Sequence, residues 1–313
     1  MAVTGRVLVP WKEIRDAVAD LGLDVDVFTG EAPGPADLDD VVFFTVPYDQ
    51  PYATEPIARM PHVEVVQALT AGYDNLLGLL PAGATLCNAR GLHDASTSEH
   101  ALALILAAQR ELPRWTRAQD QRRWEHTHTR SLAGSRVVIV GYGSIGAALG
   151  SRLRACEADV AGVARRPRPE EGVHGAAELD GLLPSASIVV LVTPLTPDTA
   201  GLMDARRLAL LPDGALVVNV GRGPVLDTSA MLAEAASGRL RAALDVTDPE
   251  PLPAGHPLWT CPGVIITPHV AGGAAAFYPH AARFVAGQLR RFAAGDPLAN
   301  VVVRSNRWGR LTP

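Results

Sequence analysis

Residues 137–150 read VVIVGYGSIGAALG, an apolar run followed by three glycines in the spacing GxGxxG. The apolar run is typical of a buried parallel strand, and the residues after the glycines predict a helix. At such a turn, Gly141 would permit the tight bend, Gly143 a close approach to a pyrophosphate, and Gly146 close packing of the helix on the strand. Backbone amides and the positive end of the helix dipole would then face the phosphates. We interpret the stretch as a dinucleotide site, with a purely structural turn as the alternative.

Short apolar runs continue on both sides of this stretch and alternate with helical patterns. The predicted strands are RVLV, VDVF, DVVFF, VEVV and ATLC in the first hundred residues, and then residues 136–140, 159–163, 187–192, 215–220, 241–246 and 264–267. Strands that alternate with helices form parallel sheets, so we expect an α/β protein with two doubly wound domains. A helical pattern at 96–120, which Pro113 should kink or break, joins them, and a last helix covers roughly 273–294.

The composition excludes several classes of function. With 313 residues and a net charge of −5, the chain has no basic field, and no nucleic acid partner is expected. No apolar run approaches the roughly 18 residues needed to span a bilayer, and the first residues do not have the pattern of a signal peptide. The cysteines Cys87, Cys156 and Cys261 are far apart, which argues against a disulfide framework and against a metal site. We therefore expect a cytoplasmic protein with no membrane partner and no metal.

Residues 162–170, GVARRPRPE, follow the second strand of the later series and carry a positive cluster. An enzyme that uses NAD has an Asp or Glu about 20 residues beyond the glycines, where it binds the ribose hydroxyls. This chain has Ala164 there, followed by Arg165 and Arg166. Two guanidiniums without a carboxylate are suited to a 2′-phosphate, so the cluster favours NADP(H), with NAD(H) as the alternative. A solvated arginine turn would be the structural explanation, and Arg168, beyond a proline, is the weakest candidate.

Three further stretches place reactive side chains after predicted strands. VVNVGRGPVLD sets Arg222 between Gly221 and Gly223, LDVTDPEPLP sets Glu250 between two prolines, and VIITPHVAGG sets His269 before glycines. Each alone could be structural, but the carboxyl ends of parallel strands meet at one edge of the sheet. A guanidinium can hold a small carboxylate and polarise a carbonyl. A histidine can transfer a proton near neutral pH, and a neighbouring carboxylate fixes its tautomer.

The motifs GYGSIG, TPLTPDTAGLM, NVGRGPVLD, DVTDPEP and TPHVAGG occur in this order along the chain. Together they resemble the D-isomer-specific 2-hydroxyacid dehydrogenases, the family of glyoxylate/hydroxypyruvate reductases, D-lactate dehydrogenase and 3-phosphoglycerate dehydrogenase. The resemblance implies a Rossmann dinucleotide-binding domain at 98–283 and a flavodoxin-like substrate domain at 1–97, completed by about 284–313. It implies an oxidoreductase that acts on a small 2-oxo or 2-hydroxy acid as a homodimer. A co-repressor of the same fold, which binds a dinucleotide as a sensor, is the alternative function.

The resemblance also implies roles for individual residues. Arg222 would hold the substrate's carboxylate and carbonyl, His269 would be the general acid/base, Glu250 would pair with it, and Asp245 would contact the nicotinamide carboxamide. The other expected cofactor contacts, besides the three glycines and the two arginines, are Tyr142, Ser144, Ile145, Thr193, Pro194, Val220, Gly221 and Gly272. In LTAGYDNL, the backbone of Ala71, Gly72 and Tyr73 would bind the substrate carboxylate. FFTVPYD would line the substrate's side-chain pocket or form only a strand-end turn, and His100 is expected to be structural.

Overall fold

The structure is a computed structural model that describes residues 4–305 and 311–312. Its strands are β1 Arg6–Val9, β2 Asp24–Val27, β3 Val41–Thr45, β4 Val65–Gln67, β5 Thr85–Cys87, β6 Arg136–Val140, β7 Asp159–Ala164, β8 Val173–Gly175, β9 Ile188–Leu191, β10 Leu216–Asn219, β11 Arg241–Leu244, β12 Val264–Ile266, β13 Val301–Ser305 and β14 Leu311–Thr312. Its α-helices are α1 Lys12–Ala17, α2 Asp94–Gln109, α3 Leu112–Asp120, α4 Ser144–Ala155, α5 Leu179–Leu182, α6 Ala205–Ala209, α7 Thr228–Ala236 and α8 Phe277–Ala294.

The chain divides into two compact units. Unit 1 comprises Met1–His93 and Ala275–Pro313, and unit 2 comprises Asp94–Ala274. The observed boundaries lie at the starts of α2 and α8, whereas the predicted ones, at residues 98 and 284, would have cut both helices. Helix α8 belongs to unit 1 over its whole length because its buried face, which includes Ala281, Val285 and Leu289, packs with the strands of that unit.

Unit 1 is built on a seven-stranded sheet in the order β14-β13-β5-β4-β3-β1-β2. Strands β1 to β5 are parallel and have the order 2-1-3-4-5 of flavodoxin-like proteins, and β13 pairs antiparallel with β5. The parallel part was predicted. The strands β13 and β14 were not, since the tail shows no alternation with helices.

Unit 2 is built on a seven-stranded parallel sheet in the order β12-β11-β10-β9-β6-β7-β8. Counted from β6, this is the 3-2-1-4-5-6 order of the dinucleotide-binding fold with one further strand. The strand order reverses between β6 and β9, and ligands of such sheets bind outside the carboxyl ends of the strands at that point. The prediction of two doubly wound α/β domains is confirmed.

The central strands of unit 2 are almost entirely apolar because both faces of the sheet are covered. On one face, Leu104 and Ile105 of α2 and Leu149 of α4 pack on the strands. On the other face lie Leu208 of α6 and Met231 of α7. This packing fixes the carboxyl ends of the strands, from which the candidate site is built.

The predicted helix at 96–120 is two helices. Helix α2 ends at Gln109 and α3 begins at Leu112, so that Pro113 occupies the first turn of a new helix, where its missing amide costs nothing. The last helix begins at Phe277 rather than near residue 273. Among residues 4–305 and 311–312, no helix is long and apolar enough to cross a membrane.

Candidate active site

The glycine-rich turn after β6 has the geometry that a dinucleotide requires. Gly141 has a φ of 106°, and a Cβ there would lie 2.6 Å from the carbonyl carbon of Val192. A Cβ on Gly146 would lie 2.5 Å from the carbonyl oxygen of Gly141, so the helix could not pack this closely with a side chain. At Gly143, by contrast, a Cβ would meet nothing within 4 Å. That open side is where a pyrophosphate could approach the backbone.

Helix α4 begins directly after this turn, at Ser144, with Gly143 at its N-cap. The amides of Ser144, Ile145 and Gly146 donate to no other described residue. Unpartnered amides at a helix N-terminus are suited to phosphate oxygens. The predicted cofactor contacts at these three positions thus have donors to offer.

Tyr142 differs from the other residues of the turn because its polar groups already have protein partners. Its amide donates to Val163, its carbonyl oxygen accepts from Arg168, and its hydroxyl accepts from Arg154 at 2.9 Å. The buried ring lies where a Cβ on Gly150 or Gly162 would stand. Tyr142 therefore stabilises the turn through these contacts.

The arginines after β7 divide into two kinds. Arg165 and Arg166 are exposed, and neither side chain bonds to any other residue in the described part of the chain. Arg168 donates to the carbonyl oxygen of Tyr142 at 2.9 Å and to Glu171 at 2.8 Å. The first two guanidiniums are therefore available at the end of β7, whereas the third fixes the turn.

The ends of β9 and β10 lie side by side behind the glycine turn. Thr193 has a buried Oγ1 without a hydrogen-bond partner in the described structure. A buried hydroxyl of this kind fits a site whose partner is a ligand. A Cβ on Gly221 would lie 2.8 Å from the carbonyl oxygen of Thr193, so only glycine allows this approach. Val220 donates its amide to Leu191. Pro194 accepts from Thr199 through its carbonyl oxygen.

Arg222 extends from the turn after β10. The side chain of Asn219 donates to the carbonyl oxygen of Arg222 at 2.9 Å and accepts from the amide of Gly221 at 3.1 Å, which defines the turn. One guanidinium nitrogen of Arg222 donates to the carbonyl oxygen of Gly221 at 2.9 Å. At Gly223 the chain runs so close to the carbonyl of Thr247 that a Cβ would overlap it. These contacts join the loop that carries Arg222 to the loop after β11.

Glu250 and His269 form a hydrogen-bonded pair. The distance from Nδ1 of His269 to Oε1 of Glu250 is 2.5 Å, and the two side chains are 49% and 39% exposed. With Nδ1 engaged by a carboxylate, Nε2 is the ring nitrogen that can exchange a proton with a substrate. The predicted pairing of the two residues is present in the structure.

Asp245 positions the loop that carries His269. Its carboxylate accepts from the hydroxyl of Thr267 at 2.6 Å and from the amides of Val270 and Ala271 at 3.0 Å. Its carbonyl oxygen accepts from the amide of His269 at 2.7 Å. The side chain is almost fully buried. Asp245, expected as a nicotinamide contact, thus holds the loop that carries His269 and Gly272.

His100 completes this arrangement from helix α2. Its Nε2 lies 3.0 Å from the hydroxyl of Thr267 and 3.3 Å from Oδ1 of Asp245. The sequence predicted a structural histidine on α2 but gave no sign of its partners, since Thr267 is 167 residues away. Thr267 was not predicted, and neither was the way in which Thr267 and His100 together contact Asp245.

In unit 1, the loop after β4 presents unused backbone donors. The hydroxyl of Thr70 donates to the carbonyl oxygen of Gly72 at 2.5 Å, and Asn88 donates to that of Ala71 at 2.8 Å. The amides of Ala71, Gly72 and Tyr73 donate to no residue in the described part of the chain. The ring of Tyr73 packs against the core of unit 1. Three amides in a loop held by side chains fit an anionic group.

A cleft of about 400 Å³ in unit 1 brings this loop together with the segment after β3. Val46, Pro47, Tyr48 and Asp49 line it from the FFTVPYD segment, and Thr70 lines it from the other side. The segment therefore does more than turn the chain, because it forms one wall of a cavity.

The described residues contain no group of three or more His, Cys, Asp or Glu side chains that could hold a metal ion. None of the three cysteines forms a disulfide. The donors gathered in unit 2 are amides, hydroxyls and guanidiniums, which are suited to a phosphate-bearing cofactor.

The family profile of the D-isomer-specific 2-hydroxyacid dehydrogenase NAD-binding domain matches residues 102–271, more than half of the chain. The chain belongs to the D-isomer-specific 2-hydroxyacid dehydrogenase family. The resemblance predicted from the sequence motifs is therefore confirmed, and with it the presence of a dinucleotide-binding domain. The glycine turn and the buried Thr193 hydroxyl fit that domain's ligand.

Several relatives in this family have names that state an activity. Glyoxylate/hydroxypyruvate reductase A of Serratia proteamaculans is 32% identical over 261 residues, which are 79% of this chain and 82% of that protein. D-3-phosphoglycerate dehydrogenase of Mycobacterium tuberculosis is 34% identical over 260 residues, but only 48% of its length is covered. The chain thus spans about half the length of the phosphoglycerate dehydrogenases that it matches.

Two solved structures of the family superpose over nearly the whole chain. A D-isomer-specific 2-hydroxyacid dehydrogenase of Xanthobacter autotrophicus, solved with NADPH and MES, gives a TM-score of 0.81 at 36% identity and covers 96% of this chain and 98% of its own. An NADPH-dependent glyoxylate/hydroxypyruvate reductase of Sinorhizobium meliloti, solved with NADP and sulfate, gives a TM-score of 0.81 at 30% identity, with 95% and 96% covered.

Proposed function

We propose that this protein is an NADP(H)-dependent reductase of small 2-oxo acids that forms D-2-hydroxy acids, similar to the glyoxylate/hydroxypyruvate reductases. The observation that carries the proposal is the hydrogen-bonded pair of Glu250 and His269. Both residues follow strands of the sheet whose strand β6 leads into the glycine turn. The co-repressors of the same fold keep these residues, so turnover of a 2-oxo acid is what distinguishes the two functions.

The chemistry requires a hydride at the carbonyl carbon and a proton at the carbonyl oxygen. The bound reduced nicotinamide supplies the hydride. In our proposal, Nε2 of His269 donates the proton as negative charge develops on the oxygen. Glu250 holds Nδ1, fixes the tautomer and stabilises the positive charge of the imidazolium before the proton leaves. In the reverse direction, the neutral imidazole accepts the proton of the hydroxy acid.

Arg222 is proposed to bind and orient the substrate. Its guanidinium can form two parallel hydrogen bonds with a carboxylate, and its charge can polarise the adjacent carbonyl. The turn that carries it is fixed by Asn219 and by the close contact between Gly223 and Thr247. The unused amides of Ala71, Gly72 and Tyr73 in unit 1 are suited to an anionic group such as a carboxylate.

The preference for NADP(H) rests on the end of β7. Ala164 has no carboxylate that could bind the ribose hydroxyls or repel a 2′-phosphate. The guanidiniums of Arg165 and Arg166 bond to no other residue in the described part of the chain. A 2′-phosphate carries charge and several acceptor oxygens, which match these donors. NADPH or NADP in the two solved relatives supports the same assignment.

The substrate is proposed to be small, with glyoxylate and hydroxypyruvate as the leading candidates. The cleft in unit 1 has polar lining residues, among them Gln50, Thr54 and Asn75, beside apolar ones. Polar lining residues are compatible with the hydroxymethyl group of hydroxypyruvate and with glyoxylate, which has only a hydrogen atom at that position. The benzyl group of phenylpyruvate would bury these polar groups without hydrogen-bond partners. The names of the reductase relatives support this choice.

We also propose that the enzyme works as a homodimer in the cytoplasm. The indole of Trp124 in unit 2 is 97% exposed, and tryptophan is enriched in protein interfaces relative to the rest of the surface. The absence of disulfides among the three cysteines supports a reducing compartment. Sedimentation velocity of the wild type and of Trp124→Ser tests the dimer. The variant dimer should already dissociate at protein concentrations at which the wild type remains dimeric.

The experiment that tests the function is the loss of reduced-nicotinamide absorbance with glyoxylate, hydroxypyruvate, pyruvate and phenylpyruvate, each with NADPH and with NADH. We expect turnover with at least one of the first two acids and NADPH. Tight NADPH binding without turnover of any acid would instead favour the co-repressor alternative.

A further inference from the structure

Two glutamine side chains meet in the interior of unit 1. Gln67, the last residue of β4, is fully buried, and Gln288 of α8 is 2% exposed. Nε2 of Gln288 donates to Oε1 of Gln67 at 2.7 Å, although the two residues are 221 positions apart in the chain. Burying a carboxamide costs free energy unless its polar atoms are hydrogen-bonded. Because an apolar pair could fill the same space without this cost, packing alone does not explain the two glutamines.

Both carboxamides have further partners. Oε1 of Gln288 accepts from the amide of Ala299 at 2.9 Å, and its Nε2 donates to the carbonyl oxygen of Ala299 at 3.0 Å. Nε2 of Gln67 donates to the carbonyl oxygen of Ala68 at 2.8 Å and lies 3.2 Å from that of Asn88. A satisfied network of this kind fixes the rotamers of its members. It connects α8 with the chain after β4 and with the chain after β5.

The loop that follows β4 is held through its carbonyl oxygens. Each of the five from Ala68 to Gly72 accepts a hydrogen bond. In chain order, the donors are the side chain of Gln67 at 2.8 Å, the ring of His93 at 2.7 Å, the amide of Ala89 at 2.9 Å, the side chain of Asn88 at 2.8 Å and the hydroxyl of Thr70 at 2.5 Å. The amides of Ala71, Gly72 and Tyr73, by contrast, donate to no residue in the described part of the chain. The three amides are therefore held in one arrangement by bonds that do not use them.

Asn88 links the glutamine pair to this loop. Its carbonyl oxygen lies beside Nε2 of Gln67, and its own side chain donates to the carbonyl oxygen of Ala71. Its amide donates to the carbonyl oxygen of Asn300 at 3.1 Å, in the segment that follows Ala299. The position of Ala71 thus depends on Asn88 and, through Asn88, on the two glutamines.

We propose that Gln67 and Gln288 are positioning residues that hold the amides of Ala71, Gly72 and Tyr73 in the arrangement that binds a carboxylate. The inference rests on the proposed function, whose substrate carries that group. Donors that are already oriented bind an anion more tightly than donors in a mobile loop, because less conformational freedom is lost on binding. Loss of the pair should therefore weaken the binding of the 2-oxo acid, while the proton transfer by His269 and the binding of NADPH are retained.

The first test is steady-state kinetics of Gln67→Met and Gln288→Met with hydroxypyruvate. Methionine is about as long as glutamine but lacks the carboxamide. The KM for hydroxypyruvate should rise at least about tenfold in each variant, with little change in kcat or in the Kd for NADPH. A wild-type KM in both variants would overturn the proposal.

The double variant Gln67→Met with Gln288→Met separates positioning from stability. Replacing both partners of a buried hydrogen bond by apolar groups costs less than removing one partner, so it should lose less stability than the two single variants together. Its KM should nevertheless stay at least as high as that of Gln67→Met. A KM that returned towards the wild-type value would show that the single variants act only through stability, and would overturn the proposal. Gln109→Met, which removes a buried glutamine of α2 in unit 2, is the matched control and should keep the wild-type KM.

Hydrogen exchange measures the loop without any substrate. The amides of Ala68 and Ala89 are hydrogen-bonded to the backbone at the base of the loop. They should exchange at least about tenfold faster in Gln67→Met than in the wild type or in Gln109→Met. If the wild type turned over no 2-oxo acid, the proposed function would fail, but faster exchange in Gln67→Met would still support a positioning role for Gln67. Equal exchange in the wild type and in Gln67→Met would overturn that role in either case.

Discussion

The Nδ1 atom of His269 lies 2.5 Å from Oε1 of Glu250, although the two residues come from different loops, after β12 and after β11. Asp245, at the end of β11, accepts hydrogen bonds from the amides of Val270 and Ala271 and thereby holds the histidine loop beside the glutamate loop. The histidine is consequently oriented by the protein before any substrate binds. Such preorganisation lowers the cost of reaching the transition state.

The first prediction concerns this pair. His269→Ala removes the proton donor, and kcat should fall by roughly 10²- to 10⁴-fold. Glu250→Gln keeps the shape but removes the charge that stabilises the imidazolium, and kcat should fall by about tenfold or more. Because Glu250 acts through His269, the double variant should be no slower than His269→Ala alone. Steady-state kinetics measures this.

Both side chains are partly exposed, so the variants should melt as the wild type does, and the affinity for NADPH should change little. Losses of kcat that multiply fully in the double variant would show that the two residues act independently.

The second prediction concerns Arg222. Arg222→Lys keeps the positive charge but loses the planar fork that forms two parallel hydrogen bonds. We expect kcat/KM for the 2-oxo acid to fall at least about tenfold, with little change in the KM for NADPH. Arg122→Lys, at an exposed position, is the control and should be neutral. If lysine at position 222 supported full activity, a point charge would suffice there.

The third prediction concerns the choice of cofactor. With Arg165 and Arg166 available to the 2′-phosphate, kcat/KM should be roughly 10- to 1,000-fold higher with NADPH than with NADH, and the ratio should shrink at higher ionic strength. The double change Ala164→Asp and Arg165→Gln should reverse the preference, because the carboxylate repels the phosphate and accepts from the ribose. Arg168→Gln should affect both cofactors alike, since Arg168 supports the turn through Tyr142 and Glu171. Equal use of NADH by the wild type would mean that the two exposed arginines only face solvent.

The fourth prediction concerns stability in acid. Hydrogen bonds from Arg206 and Arg207 lower the pKa of Asp180 from 3.8 to about 2. A carboxyl whose pKa is depressed by folding stabilises the fold above its ordinary pKa, and this contribution is lost as the pH falls through the depressed value. The free energy of unfolding should therefore decrease between about pH 4 and pH 2, and Asp180→Asn should make that decrease shallower. Urea denaturation at several pH values, with Asp198→Asn as an exposed control, measures the slope, and equal slopes in both variants would contradict the account.

Much of the fold could be predicted because most of the parallel strands are continuous apolar runs. These runs alternate with helical patterns along the chain, and this alternation indicates parallel strands joined by helices. The strand β8, Val173–Gly175, has only three residues and no apolar run, so nothing in the sequence marks it. Likewise, β13 exists through antiparallel pairing with β5, more than 200 residues away, which local patterns do not encode. The sequence does not predict β8 because the strand is short, and it does not predict β13 because this strand forms only through long-range pairing.

The candidate site could be predicted to a similar extent. Arg222, Glu250 and His269 follow strand ends, and the equivalence of strand ends in a parallel sheet brings them to one edge. The links between Asp245, Thr267 and His100 could not be predicted, because a helix and a loop far apart in the chain meet only in the folded protein. Residue types alone do not show which side chains support a catalytic group.

The most direct test of the central claim is the transfer of deuterium from NADPH labelled at both C4 hydrogens to hydroxypyruvate. We expect one deuterium at C2 of the product for each NADPH oxidised, with the product formed as the D-hydroxy acid, and a roughly 10²- to 10⁴-fold slower formation of this product by His269→Ala. Chiral chromatography with mass spectrometry measures the label and the configuration together. An unlabelled product, or an L-hydroxy acid, would contradict the account.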